Sequence, residues 1–236
     1  MPIVSTGAPM MPSPHVQRAN DAALDVGITS IDSAPMYDLG ACERTVGEAI
    51  RGARKNSRPE SVRLEVERSL ERLGCDVLDT VHVHIRDPLI PIADTMGALK
   101  NLLREGKIRA IGVSTNFGPR EIAQAQLALG DVTLASLQVG YNLLERRCET
   151  DLIPIAQDDS IAVLARSPLA MGLLKSKIGP WSSFSRSDLR RNMPTFHLEN
   201  LRRISIAVQH GIAPIAADRG VSVATAHSPG FSIGPP

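Results

Sequence analysis

Hydrophobic positions follow two spacings in turn along this chain. Short runs rich in β-branched residues alternate with longer stretches whose apolar positions recur three and four apart. Gly27 to Asp32 (GITSID) reads as the end of a strand, preceded by a helical stretch from Val16 to Val26. Ser61 to Leu73 places Val62, Val66, Leu70 and Leu73 on one helical face, and Gly74 supplies the stop. Val77 to His84 (VLDTVHVH) is strand-like, and Ala93 to Leu103 is helical, with Met96, Leu99 and Leu103 together and Gly106 beyond the end. Ile108 to Ser114 (IRAIGVS) is the next strand, and Arg120 to Leu129 the next helix, entered through Pro119. Leu134 to Tyr141 and Ile161 to Ser167 (IAVLARS) are further strands, with Thr150 to Gln157 helical between them. Glu199 to Arg219 reads as a helix broken between Gly211 and Pro214, and Val221 begins a last element before a Pro/Gly-rich tail.

Strand-then-helix alternation within one chain implies a parallel sheet, either closed as a barrel or doubly wound. A doubly wound nucleotide-binding sheet should carry G-x-G-x-x-G or a phosphate loop ending G-K-[ST], and neither occurs. The barrel is favoured, and in a barrel function sits at the carboxyl ends of the strands. Those ends carry Asp32, His84, Ser114, Gln138 and Ser167, polar residues closing apolar runs. His82 and His84 are two apart and so share a face of their strand. We assign His82 to the core, satisfied by backbone, and His84 to the site. A metal-dependent hydrolase would also begin with His-x-His at a strand end, but it needs further ligands at later strand ends. His197, His210 and His227 fall instead on helices or in the tail.

Composition narrows the partners. The 236 residues suffice for a single domain, 1–236, with an irregular tail over 228–236. Basic residues number 26 and acidic ones 25, so no net field favours nucleic acid or an anionic membrane. Aromatic residues are 3%, too few for base-stacking platforms. Cys42, Cys75 and Cys148 are odd in number and far apart, which suits reduced thiols. The opening residues lack the basic and apolar regions of a signal peptide, and no apolar run approaches the ~18 residues of a membrane span. A cytoplasmic location is the expectation.

Five segments in order resemble the aldo-keto reductase family, over about Gln17 to Ala226. GITSIDSAPMYDLGACERTVGEAI (27–50) is similar to the family's GINFFDTAxxYGxGxSExxLGxAL, and SLERLGCDVLDTVHVHIRD (69–87) to SLxRLxxDYIDLYxxHxPD. GKIRAIGVSTNF (106–117), QVGYNLLE (138–145) and ARSPLAMGLL (165–174) resemble GKIRAIGVSNF, QxxYNLL and xxSPLxxGLL. The resemblance implies a TIM-type (β/α)8 barrel that reduces aldehydes or ketones with NADPH, or NADH in some members, bound without a Rossmann motif. It puts Asp32, Tyr37 and His84 on three of four catalytic positions. It puts Ser114, Asn116 (or Thr115) and Gln138 at the nicotinamide carboxamide, Arg166 where the ring stacks, and Ser167 and Leu169 at the pyrophosphate.

The chain also departs from the family pattern. The fourth catalytic position is a lysine on a V-x-I-x-T-K strand, but here AIRGARKNSRPESV (49–62) joins the flanking segments with no β-branched run. Lys55 lies in that stretch and reads as a solvated loop charge. The family's last strand and its IPGxR…EN segment, which grips the adenosine phosphate, are not matched, and only Ile3 to Gly7 stands for the opening strand. The expectation is an incomplete barrel in which the lysine-bearing and C-terminal strands are missing. NADPH should then bind weakly and with little advantage over NADH. Tyr37, the proton donor by resemblance, has an ordinary pKa of about 10 and needs a neighbouring cation to act well near neutral pH. Two readings stay open: a carbonyl reductase of impaired activity, and a reductase-like protein that binds nucleotide or a partner without turnover.

Overall fold

The computed structural model describes residues 3–5, 22, 25–26, 30–33, 58–114, 117–175, 178–186 and 188–227. Strands β1 (Ile3–Ser5) and β2 (Ser30–Asp32) pair in parallel, Ser5 opposite Asp32. A second parallel sheet has the order β3-β4-β5-β6, with β3 Val81–Val83, β4 Ile111–Val113, β5 Ser136–Gly140 and β6 Ala162–Arg166. Each strand lies within the run read from the sequence but is shorter. At the start of the VLDTVHVH run, the pairing is a single bridge between Leu78 and Ile108.

Three long helices follow the predicted spans. Helix α1 (Pro59–Leu73) starts with proline, whose missing N–H costs nothing in a first turn, and ends at Gly74. That glycine sits at φ 64°, a left-handed position where a side chain is strained, and its N–H closes on the Leu70 carbonyl. Helix α2 (Ile92–Arg104) buries Ile92, Thr95, Met96, Leu99 and Leu102, a stripe at three- and four-residue spacing. Helix α3 (Pro119–Leu129) is entered through Gly118, whose N–H donates to the Glu121 carboxylate at 3.1 Å, and it buries Ile122, Ala125 and Leu129. Helix α2 packs against both α1 and α3.

The helix expected over Thr150 to Gln157 is two short pieces, α4 (Cys148–Asp151) and α5 (Ile153–Asp158). Pro154 has no N–H to continue the first ladder, so the chain restarts there. The long C-terminal helix is continuous but deformed. Leu198–Ala207 (α6) passes through a wide π-type turn, Val208–Ile212, into α7 (Ala213–Asp218), with α8 (Val223–His227) beyond. Pro214 in the first turn of α7 prevents a regular ladder, which puts the irregularity where the sequence marks it.

By contact density the chain divides into two units, residues 1–138 with 154–163, and 139–153 with 164–236. In the first, β4 is buried along its whole length, Ile111 and Val113 being fully enclosed, as a central parallel strand should be. Ile108, Leu134 and Leu137 are buried as well. The second unit has its own cluster of Leu173, Phe196 and Leu201, with Ile178, Phe184 and Met193 against it. There Phe184 meets Phe196 edge-on at 5.4 Å, and the Arg190 guanidinium lies over the Phe184 ring at 4.8 Å.

Candidate active site

Strand register determines which polar groups meet. His82 pairs with Gly112, and Gly112 with Ser136, so these three form a row across β3, β4 and β5. Two residues further along each strand, the same face carries His84, Ser114 and Gln138. The ladder continues at that level, the Ser114 N–H donating to the Val83 carbonyl at 3.0 Å.

The upper row joins β2 through a directed chain of side-chain hydrogen bonds. Ser114 Oγ donates to Gln138 Oε1 at 3.4 Å, and Gln138 Nε2 donates to Asp32 Oδ2 at 3.1 Å. Ser114 is buried, while Asp32 and Gln138 are half-buried. The carboxylate accepts and the hydroxyl donates, so the Gln138 amide between them is held in one orientation. The first of these bonds is long, which leaves Ser114 and the Gln138 carbonyl able to exchange it for a ligand's groups.

The lower row holds a correction. His82 was expected to be satisfied by backbone; among the described residues its Nε2 instead bonds the Ser136 hydroxyl at 2.8 Å. Burial pushes the His82 pKa below its ordinary 6.5, with a lesser pull upward from Asp32 and a push downward from His84. The sequence placed His82 and His84 on one face, but it carried no signal that a serine two strands away would meet the first of them.

Asp32 stands at the end of β2, while His84 and Ser114 each follow the last residue of a strand. Gln138, read as a strand end, lies in the middle of β5, because the ladder runs on to Gly140. Tyr37, Thr115, Asn116 and Lys55 lie outside the described residues. Arg166, Ser167 and Leu169 belong to the second unit. There the Arg166 carbonyl accepts from the Tyr141 N–H at 3.2 Å, and Arg166 Nε is buried without a hydrogen-bond partner among the described residues. Ser167 has φ 56°, and Ala170, Met171 and Gly172 are also left-handed, at 48°, 52° and 101°. Such a run costs about 1 kcal/mol or more at each residue bearing a side chain, so the surrounding contacts must enforce it.

One of those contacts is Asn142, a residue the sequence reading passed over. It is buried; its Nδ2 donates to the Ser167 carbonyl at 3.1 Å, and its Oδ1 accepts from the Leu144 and Glu145 N–H groups at 2.9 and 3.1 Å. Its place in the YN pair of QVGYNLLE was the available signal.

Residues 4–226 match the model of the Aldo/keto reductase family. The chain belongs to that family. It is 38% identical over 208 residues to Aldo-keto reductase YhdN of Bacillus subtilis (strain 168), covering 79% of this chain and 62% of that protein. It is 33% identical over 211 residues to an NADH-specific methylglyoxal reductase of Escherichia coli (strain K12), covering 75% of this chain and 63% of that one. The chain thus spans less than two thirds of the length of these curated relatives. Among solved structures it is similar to the glycerol dehydrogenase AKR11B4 from Gluconobacter oxydans, with 34% identity, a TM-score of 0.84, and coverage of 95% of this chain and 76% of that one. Family and structural likeness together establish an α/β fold of the TIM-type (β/α)8-barrel class.

Proposed function

We propose that the protein is an NAD(P)H-dependent oxidoreductase that reduces aldehydes or ketones to alcohols. The hydrogen-bonded chain from Ser114 through Gln138 to Asp32 supports this most directly. A primary carboxamide needs one acceptor and one donor side by side, and Ser114 with the Gln138 amide supplies both. The donor set therefore fits a nicotinamide. When bound, the cofactor supplies the hydride. The protein orients its carboxamide through Ser114, Gln138 and Asn116, while His84 directs the substrate carbonyl and Tyr37 supplies the proton. Arg166 takes the position on which the nicotinamide ring stacks, and Ser167 and Leu169 those that meet the pyrophosphate. These roles follow the family positions. The relatives include an NADH-specific enzyme, so both NADPH and NADH are cofactors to test. The substrate is a small-molecule carbonyl compound, and the protein acts in the cytoplasm.

Turnover is slow in this reading. Without a lysine beside it, Tyr37 stays a poor acid, and a general acid is worth about 10²–10⁴-fold. The same stretch, residues 49–62, favours the second reading of a reductase-like protein that binds nucleotide without turning over. Mixing the protein with NADPH or NADH and following fluorescence, then adding a nitrobenzaldehyde and following absorbance, separates the two. Binding with slow oxidation, little changed by Tyr37→Phe, is the expected result. Binding with no oxidation supports the second reading, and a fast rate abolished by Lys55→Met would place Lys55 at the catalytic position and overturn the account of slow turnover.

A further inference from the structure

The left-handed turn after β6 is pinned by side chains at two of its carbonyls. Within the turn, the Ala170 N–H closes on the Ser167 carbonyl at 2.8 Å, and the Gly172 and Leu174 N–H groups on the Leu169 carbonyl at 2.9 and 3.3 Å. Asn142 holds it at the Ser167 carbonyl. Further along, Arg190 Nη1 donates to the Met171 carbonyl at 3.3 Å. That guanidinium is itself fixed. Asp188 Oδ1 accepts from Arg190 Nε at 3.0 Å, and Oδ2 accepts from Nη2 at 2.7 Å. Asp188 Oδ1 also accepts from the Arg190 backbone N–H at 3.0 Å, which fixes the start of the short turn Leu189–Asn192. The guanidinium lies over the Phe184 ring, and Phe184 is braced edge-on by buried Phe196. Gly172 completes the fit: at φ 101°, a Cβ there would stand 2.9 Å from Ile178 Cδ1 and 3.9 Å from Arg190 Nη1.

We propose that Arg190 is a positioning residue for the cofactor's pyrophosphate: it clamps the left-handed turn in the shape that presents Ser167 and Leu169. Ala170 and Met171 bear side chains in a conformation from which an unrestrained chain relaxes. A donor fixed from outside the turn opposes that relaxation, and Arg190 Nη1 is such a donor. The planar fork makes this possible, because Nε and Nη2 serve Asp188 while Nη1 stays directed at Met171. A lysine ammonium has no such fork and cannot reproduce both contacts. Arg190 is not itself an anion ligand in this account, since Asp188 already balances its charge. Without the clamp the turn spends part of its time relaxed, and a ligand that needs the left-handed shape binds more weakly by that fraction. The pyrophosphate as ligand rests on the reductase reading; the clamp of Arg190 on the turn does not.

The experiment compares the whole chain with Arg190→Met and Arg190→Lys, following amide hydrogen exchange at Ala170, Gly172 and Leu174 by NMR. Binding of NADPH is measured beside binding of reduced nicotinamide mononucleotide, which has no pyrophosphate. In both variants the three amides should exchange about tenfold faster, while the Leu201 amide of α6 keeps its parental rate. NADPH should bind about tenfold more weakly and the mononucleotide as before. Arg190→Lys keeps the charge beside Asp188, so the test stands even if Arg190→Met fails to fold. Parental exchange at the three amides in Arg190→Lys overturns the proposal. So does parental NADPH affinity in that variant, because charge alone would then suffice. Equal weakening of NADPH and the mononucleotide also overturns it, since Arg190 would be a general prop of the fold. Faster exchange in the variants of a parent that binds neither NADPH nor NADH upholds the clamp and sinks the reductase reading alone.

Discussion

Replacing Gly112 by alanine tests the packing between β3 and β5 most sharply. Gly112 lies in extended strand geometry that alanine adopts readily, so any effect is one of space. The added Cβ would stand 2.4 Å from His82 Cδ2, 2.5 Å from His82 Nε2 and 2.7 Å from Ser136 Oγ, where ordinary contact begins near 3.4 Å. The ring must retreat by roughly 1 Å, which overpacks a buried region at about 1–3 kcal/mol. Retreat also breaks the His82–Ser136 bond, worth about 0.5–1.5 kcal/mol. Against this, alanine restricts the unfolded chain and returns about 0.4–1 kcal/mol. The net expectation is a loss of about 1–3 kcal/mol. Gly97→Ala is the control, because Gly97 lies within α2 with nothing inside 4 Å of its would-be Cβ. There the same change should stabilise by about 0.5–1 kcal/mol through helix propensity. Urea unfolding followed by circular dichroism at pH 7.5 measures both. If Gly112→Ala is as stable as the parent, the imidazole does not occupy the space left by the missing side chain, and the lower row described above is wrong.

Leu102 is fully enclosed between the helices and the sheet, so Leu102→Ala should cost about 2–5 kcal/mol, read as a lower urea midpoint with the helical spectrum retained. Glu105 accepts from Arg63 and lies near Lys107, and the Arg63 hydrogen bond leads in holding its carboxyl at about 2 rather than 4.5. Its folded pKa is depressed, so its favourable contribution is complete above pH 4.5 and is lost as pH falls toward 2. Carboxyl carbon shifts should show a midpoint near 2 that rises with added salt, since the cluster is exposed and screened; a midpoint near 4.5 at low salt would remove the ion pairs from solution.

Much of the framework was written in local pattern. Pro119 marked where α3 begins and Gly74 where α1 stops, because neither depends on distant contacts. The stripe on α2 was visible as Met96 and Leu99 at helical spacing, although Leu102 rather than Leu103 is buried with them. The even spacing of His82 and His84 already placed that pair on one face. The motif GITSIDSAPMYDLGACERTVGEAI pointed to Asp32 before any geometry did.

Hydrophobic period and turn chemistry are properties of neighbours in sequence, and they determined the order and type of the main elements. They could not decide what meets across the sheet. Asp32 holds Gln138 from 106 positions away, and His82 finds Ser136 from 54 positions away. Both meetings depend on strand order and register, which follow from the packing of the whole unit and are not written in any single segment. The tertiary structure alone therefore decided that His82 reaches Ser136 over a glycine notch, and that Asp32 spends its carboxylate on an amide.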